Sequence, residues 1–122
     1  TTQDGGLSWK EHEEQNRPTL AQGEASFAAS GTTLRTYGSK SVWIATGGMQ
    51  SRLWNSEDGG FTWQNLSTPI WQGEPAAGIF SFAFKDNLHG IIVGGHYQQD
   101  SVRQRHVFIT VDGGKSWIYP PM

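Results

Sequence analysis

Two carboxylates draw attention first. Gln22-Gly23-Glu24 and Gln72-Gly73-Glu74 repeat one triplet 50 residues apart. Two carboxyls held roughly 5–10 Å apart are what glycoside hydrolysis requires, one as acid and one as nucleophile or base. The competing reading is a repeated loop motif, in which each Glu accepts backbone N–H bonds or pairs with Arg35 or Arg52. The richest polar stretch spans 94–106 and holds His96, Tyr97, Asp100, Arg103, Arg105 and His106. Arg offers bidentate pairing and Tyr a stacking face, so an anion, a sugar or a peptide could be held there. The alternative is a solvated insertion. His96 and His106 lack a known metal-ligand spacing, and neither a metal nor a cofactor is expected. His89, beside Asn87 in a turn, reads as structural; His12, among Glu11, Glu13 and Glu14, reads as solvated surface.

A third pattern decides what positions these residues. Thr2-Gln3-Asp4-Gly5-Gly6-Leu7-Ser8-Trp9, Ser56-Glu57-Asp58-Gly59-Gly60-Phe61-Thr62-Trp63 and Thr110-Val111-Asp112-Gly113-Gly114-Lys115-Ser116-Trp117 all read [S/T]-x-D-G-G-x-[S/T]-W. Asp4, Asp58 and Asp112 are 54 residues apart. Six constrained positions met three times at one period indicate a repeat architecture. Gly permits positive φ in a tight turn, Asp accepts backbone N–H bonds within it, and the hydroxyl residues lock its ends. The box is therefore read as a turn, with Trp at the start of the next strand covering it.

Between the boxes lie short β runs stopped by turn chemistry. Thr33–Tyr37, Val42–Thr46, Arg52–Asn55 and Phe61–Leu66 form one set, with Gly47-Gly48 read as the stop after the second. Ile79–Phe84, Ile91–Val93, His106–Ile109 and Ser116–Tyr119 form the next, with Gly94-Gly95 as the stop. Each set is four antiparallel strands a to d with the box at the c–d turn. A four-stranded unit of about 40–50 residues is the size of a propeller blade.

The box resembles the Asp-box, or BNR repeat, of sialidase-type β-propellers. The stretches FAASGTTLRT, VWIATGG, GIFSFAF and HGIIVGG resemble bacterial propellers similar to photosystem II stability/assembly factors. The resemblance covers nearly all of the chain. It implies an all-β, partial β-propeller of four-stranded blades with Asp-box c–d turns. Asp4, Gly6, Trp9, Asp58, Gly60, Trp63, Asp112, Gly114 and Trp117 are its structural box residues. It also implies that the boxes lie on the face opposite the ligand site.

The expected division is 1–13 as the end of one blade, 24–68 as a complete blade and 77–120 as another. Closed propellers need at least four blades, so the chain is expected to self-associate or to belong with the remaining blades of a longer chain. The d–a and b–c loops would share the ligand face, which places Glu24, Glu74, Arg52, His96, Tyr97, Arg103 and Arg105 as its candidate residues, for a carbohydrate or peptide ligand. Sialidase chemistry needs an arginine triad and a Tyr/Glu nucleophile pair. No triad is evident, and the family's Arg-Ile-Pro signature is absent. The expected function is a non-catalytic scaffold or binding platform; the alternative is a fragment of a glycoside-hydrolase-like propeller with a carbohydrate site on that loop face.

Composition bounds the rest. The 122 residues carry a formal net charge of −2 with scattered basic residues, which argues against nucleic acid and membrane partners. Sixteen Gly and 15 aromatics suit short strands and turns. No apolar run reaches transmembrane length. No signal peptide is read in the chain, and export is the expectation entertained. The absence of Cys excludes disulfides and thiolate catalysis.

Overall fold

The computed structural model describes residues 1–27, 31–99 and 106–120. The chain is all-β, built on two antiparallel sheets. The first comprises β2 (Leu34–Tyr37), β3 (Ser41–Ala45), β5 (Arg52–Ser56) and β6 (Gln64–Ser67), in that order. The second runs β1 (Glu24–Ala25), β4 (Gly47–Gly48), β7 (Ala77–Phe84), β8 (Gly90–His96) and β9 (Val107–Thr110). An antiparallel bridge from Ile109 to Ile118 adds the fourth blade position beside β9.

The core is the contact between the sheets. Alternation along each strand sends Trp43, Ala45, Leu53 and Leu66 to one face of the first sheet. Phe82, Ile92 and Phe108 stand side by side on the second. Together with Ile70 and Ile79 they form one cluster, in which Trp43 stacks on Phe84 at 4.3 Å.

One sequence expectation fails outright at glycines: Gly94-Gly95 lie inside β8 and do not stop it. The other holds in part: β3 ends at Ala45, but Gly47-Gly48 beyond it form β4 of the second sheet rather than a turn. Gly47 pairs with Gly78 of β7, and this pairing joins the end of one repeat to the next sheet. The strand after the second box begins at Gln64 rather than Phe61.

The three boxes have the same internal geometry. Asp58 accepts Thr62 N–H (2.9 Å), Phe61 N–H (3.0 Å), Thr62 Oγ1–H (2.5 Å) and Ser56 Oγ–H (2.8 Å). Asp4 and Asp112 are held likewise by Ser8 and Thr2, and by Ser116 and Thr110. The two glycines of each box take φ between 74° and 99°, a region other residues enter only with strain. The Trp ring lies over the second glycine; in the first two boxes Nε1 also donates to that glycine's carbonyl at 3.1 Å. Trp burial is not uniform. Trp9 is 73% exposed, because no sheet stands against the first box among the described residues.

Ser56 shows how the turn contributes to stability. It is buried, and its Oγ accepts Gly60 N–H at 2.8 Å while donating to Asp58. Ser56→Ala leaves a buried N–H without an acceptor and should cost about 1–2 kcal/mol. Urea denaturation should show this as a lower midpoint at unchanged slope. Thr2→Ala, the same deletion in the exposed first box, should cost far less.

Candidate functional site

The two Glu residues of the repeated triplet differ in character. Glu24 sits on β1 with its side chain fully buried. Oε1 accepts Ala21 N–H (2.9 Å) and Arg52 Nη2–H (2.5 Å). Oε2 accepts Thr46 Oγ1–H (2.5 Å), Arg52 Nε–H (3.1 Å) and Trp54 Nε1–H (3.1 Å). The Arg52 guanidinium lies over the Trp54 ring at 4.7 Å. Burial by itself would raise the carboxyl pKa. That is the largest single effect, but the hydrogen bonds from Arg52, Thr46, Ala21 and Trp54 together outweigh it, and the pKa is lowered to about 2.

Glu74 is placed otherwise. Its side chain is 46% exposed, and Oε2 accepts Trp71 Nε1–H at 2.8 Å. Oε1 stands 3.7 Å from His96 Nε2, beyond a hydrogen bond. His96, at the end of β8, is buried; its Nδ1 accepts Gln98 N–H at 3.2 Å, which leaves Nε2 toward Glu74. The Trp71 and His96 rings are 5.1 Å apart, and Tyr97, 61% exposed, follows at 6.2 Å from His96. Phe27 meets Tyr97 edge-on at 6.3 Å. This group joins an accessible carboxylate to aromatic faces.

The repeated triplet does not mark equivalent places. Glu24 N–H donates to Ala21 O at 3.1 Å, and the matching turn in the next repeat is Ala77 N–H to Glu74 O at 3.0 Å. Strand pairing agrees: Glu24 stands opposite Gly48 and Ala77 opposite His96, each just before the b–c loop. Glu24 therefore corresponds to Ala77, and Glu74 to Ala21. Arg52 and His106, each six residues before a box Asp, correspond as well. The second repeat thus has Ala77 and His106 where the first has the buried pair.

The structure brings Glu24 to Arg52, Glu74 to Trp71 and His96, and Tyr97 to His96. Arg35 turns to the inter-sheet contact, donating from Nε to Phe82 O at 2.5 Å. Arg103 and Arg105 lie outside the described residues. Trp71 and Phe27 were not singled out from the sequence; the one available signal was Trp71's place directly before Gln72-Gly73-Glu74. Among the described residues no group of three or more His, Cys, Asp or Glu could hold a metal ion.

On the opposite side, the box carboxylates are committed to their turns. The Ser8 hydroxyl and N–H hold Asp4 at about 2, and Ser116 does the same for Asp112. The Thr62 hydroxyl and N–H lower Asp58 further still. A cleft of 440 Å³ lies beside the first two boxes, with Trp9, His12 and Phe61 among its walls.

No protein-family model matches the chain, and no curated protein matches it. Among solved structures it is similar to one described as YCF48 bound to a D1 peptide. The identity is 22% over 81% of this chain, with a TM-score of 0.47. The chain spans 28% of the length of that structure's chain.

Proposed function

We propose that the chain is a non-catalytic β-propeller repeat module of the Asp-box type, a binding platform whose ligand face carries Glu74, Trp71, His96 and Tyr97. The observation that supports this reading is where the carboxylates are spent. Both oxygens of Glu24 and of each box Asp are taken up by internal donors. Glu74 keeps an oxygen without a hydrogen bond among the described residues.

A glycosidase acid needs a carboxyl that still carries its proton near neutral pH. Glu24, at about 2 and fully buried, is the reverse of that group. A carboxylate between aromatic rings instead suits a ligand that donates hydrogen bonds and stacks, such as a neutral glycan or a peptide carrying amide and hydroxyl groups. Completion of the propeller by self-association or by the remaining blades of a longer chain belongs to the same reading.

The test is a heteronuclear NMR titration with a neutral oligosaccharide mixture and, separately, a degenerate peptide pool. The expected result is shifts confined to Trp71, His96 and Tyr97, with Glu74→Gln binding at least about tenfold more weakly at unchanged melting temperature. Turnover of a glycoside by the isolated chain, lost in Glu74→Gln, would overturn the non-catalytic reading.

A further inference from the structure

β2 is an outermost strand of the first sheet, so one of its edges has no neighbouring strand. Its pairing with β3 decides which groups that edge presents. Ala45 N–H donates to Thr33 O at 2.8 Å, which fixes the phase of the ladder. Arg35 and Tyr37 therefore turn their backbone groups to β3. Leu34 and Thr36 turn theirs outward, and those N–H and C=O groups meet no backbone partner among the described residues.

A groove of 300 Å³ runs beside β2, with Phe82 and Phe84 of β7 across from it, so both walls are strands of this chain. The stacked pair of Trp43 and Phe84 lines it. Arg35 crosses it: Nε donates to Phe82 O at 2.5 Å, which leaves both Nη groups without a hydrogen-bond partner among the described residues. No carboxylate is paired with Arg35 among those residues, and no acidic residue lines the groove. Tyr37, 40% exposed, reaches the same way and donates its hydroxyl to Lys85 O at 3.3 Å, which brings Lys85 to that end. Asp86, next to Lys85, is spent on Leu88 N–H, His89 N–H and the His89 ring. The groove is thus basic without an acid of its own.

We propose that the free edge of β2 takes up an extended peptide segment as an added strand, with an acidic side chain of that peptide paired to Arg35. The outward N–H and C=O groups of Leu34 and Thr36 supply main-chain hydrogen bonds, which is how strand addition gains affinity. Selection comes from the side chains. A residue standing opposite Arg35 on an added strand points to the same side of the sheet as Arg35. A Glu there reaches the unused Nη groups in a two-point contact. The peptide residue two positions on falls beside Tyr37. Across the groove the carbonyl of Phe82 is already taken by Arg35, which favours β2 over β7 as the strand that pairs. The site shares no residue with the ligand face of Glu74 and does not rest on that reading.

The probe is a pool of blocked six-residue peptides with Glu fixed at the third position and Thr, Val, Ser or Ile elsewhere. It is added at about 2 mM to the 122-residue chain and followed by amide NMR. Matched pools carry Gln or Lys at the third position. The Glu pool should shift the Leu34 and Thr36 amides and slow their exchange. The Gln pool should bind at least about tenfold more weakly, and added salt should narrow that difference. Arg35→Gln, at an exposed position, should bring the Glu pool down to the Gln pool, with the Trp43 and Phe84 resonances unchanged. The matched pools test the charge without altering the protein, so they decide the matter even if the variant unfolds. No shift along β2 with the Glu pool overturns the inference. Equal binding of the three pools overturns the pairing with Arg35. Inorganic phosphate matching the peptides at Arg35, with the Leu34 and Thr36 amides unmoved, shows a simple anion site and overturns strand addition. Shifts confined to Trp71 and Tyr97 overturn the β2 edge as the peptide's place and leave the ligand-face reading standing.

Discussion

Glu24→Gln should destabilise the chain by about 3 kcal/mol or more at pH 7. The substitution keeps the shape of the side chain but removes the charge that faces Arg52. It leaves a guanidinium whose side chain is only 15% exposed without its partner. Removing one member of a buried pair costs more than never having had the pair, because the remaining charge stays desolvated. The second repeat shows the alternative, with Ala77 and His106 at the corresponding positions. The double variant Glu24→Ala/Arg52→His should therefore recover a substantial part of the loss of either single change, a coupling of roughly 1–3 kcal/mol in a double-mutant cycle. Strict additivity would mean that the two side chains are not energetically linked.

The pH dependence of that difference has a definite sign. The folded carboxyl is lowered from 4.5 to about 2, so its contribution is complete above about 4.5 and is lost as pH falls toward 2. Chemical denaturation of wild type and Glu24→Gln across this window should show the two stabilities converging in acid. The box Asp residues titrate over the same range but are common to both proteins, so they drop out of the difference. A gap that stays constant down to pH 2 would show that Glu24 is not held ionised by Arg52.

The sequence made the boxes legible because a tight turn constrains many residues at once. Asp58 needs Ser56 and Thr62 on either side, the glycines need positive φ, and Trp63 needs a small residue beneath its ring. Few other structures demand that combination, and it fixed the c–d corners and the four-strand unit. The Gly47-Gly48 and Gly94-Gly95 pairs were misleading for the opposite reason. Glycine inside a strand has the same sequence appearance as glycine ending one, and only a close neighbour distinguishes them. That neighbour is Gly78, some 30 residues from one pair and 16 from the other, out of reach of any local pattern. The triplets at 22–24 and 72–74 misled in another way. Identical residues lie three positions out of structural register, so one Glu is a buried ion-pair partner and the other a surface acceptor. Trp71 joined the candidate site through its indole N–H, a contact made by the path of the loop and by no spacing rule.

Gly94→Ala should be the most damaging single-methyl change, at least about 3 kcal/mol. A Cβ at Gly94 would stand 2.0 Å from Gly78 O and 2.9 Å from Ile79 Cα, and both obstacles are backbone. Neither can rotate away as a side chain would. The paired strands β7 and β8 must separate, at the place where Gly78 also meets Gly47 of the preceding repeat. The strain thus falls on the hydrogen-bonded seam between the two blades. That seam also supports the proposed ligand face: Glu24 lies on β1 beside Gly48, and His96 ends β8 two residues after Gly94. Gly94→Ala is therefore expected to lower the melting temperature sharply and to displace the Tyr97 and Trp71 resonances together. Gly31→Ala is the control, since a Cβ there meets nothing within 4 Å and no positive φ is required. It should be neutral or slightly stabilising through reduced freedom of the unfolded chain. If the two substitutions had equal effects, the close approach of β7 and β8 would not be what holds the blades in register, and the loop face would owe its geometry to the core contact of Trp43 and Phe84 alone.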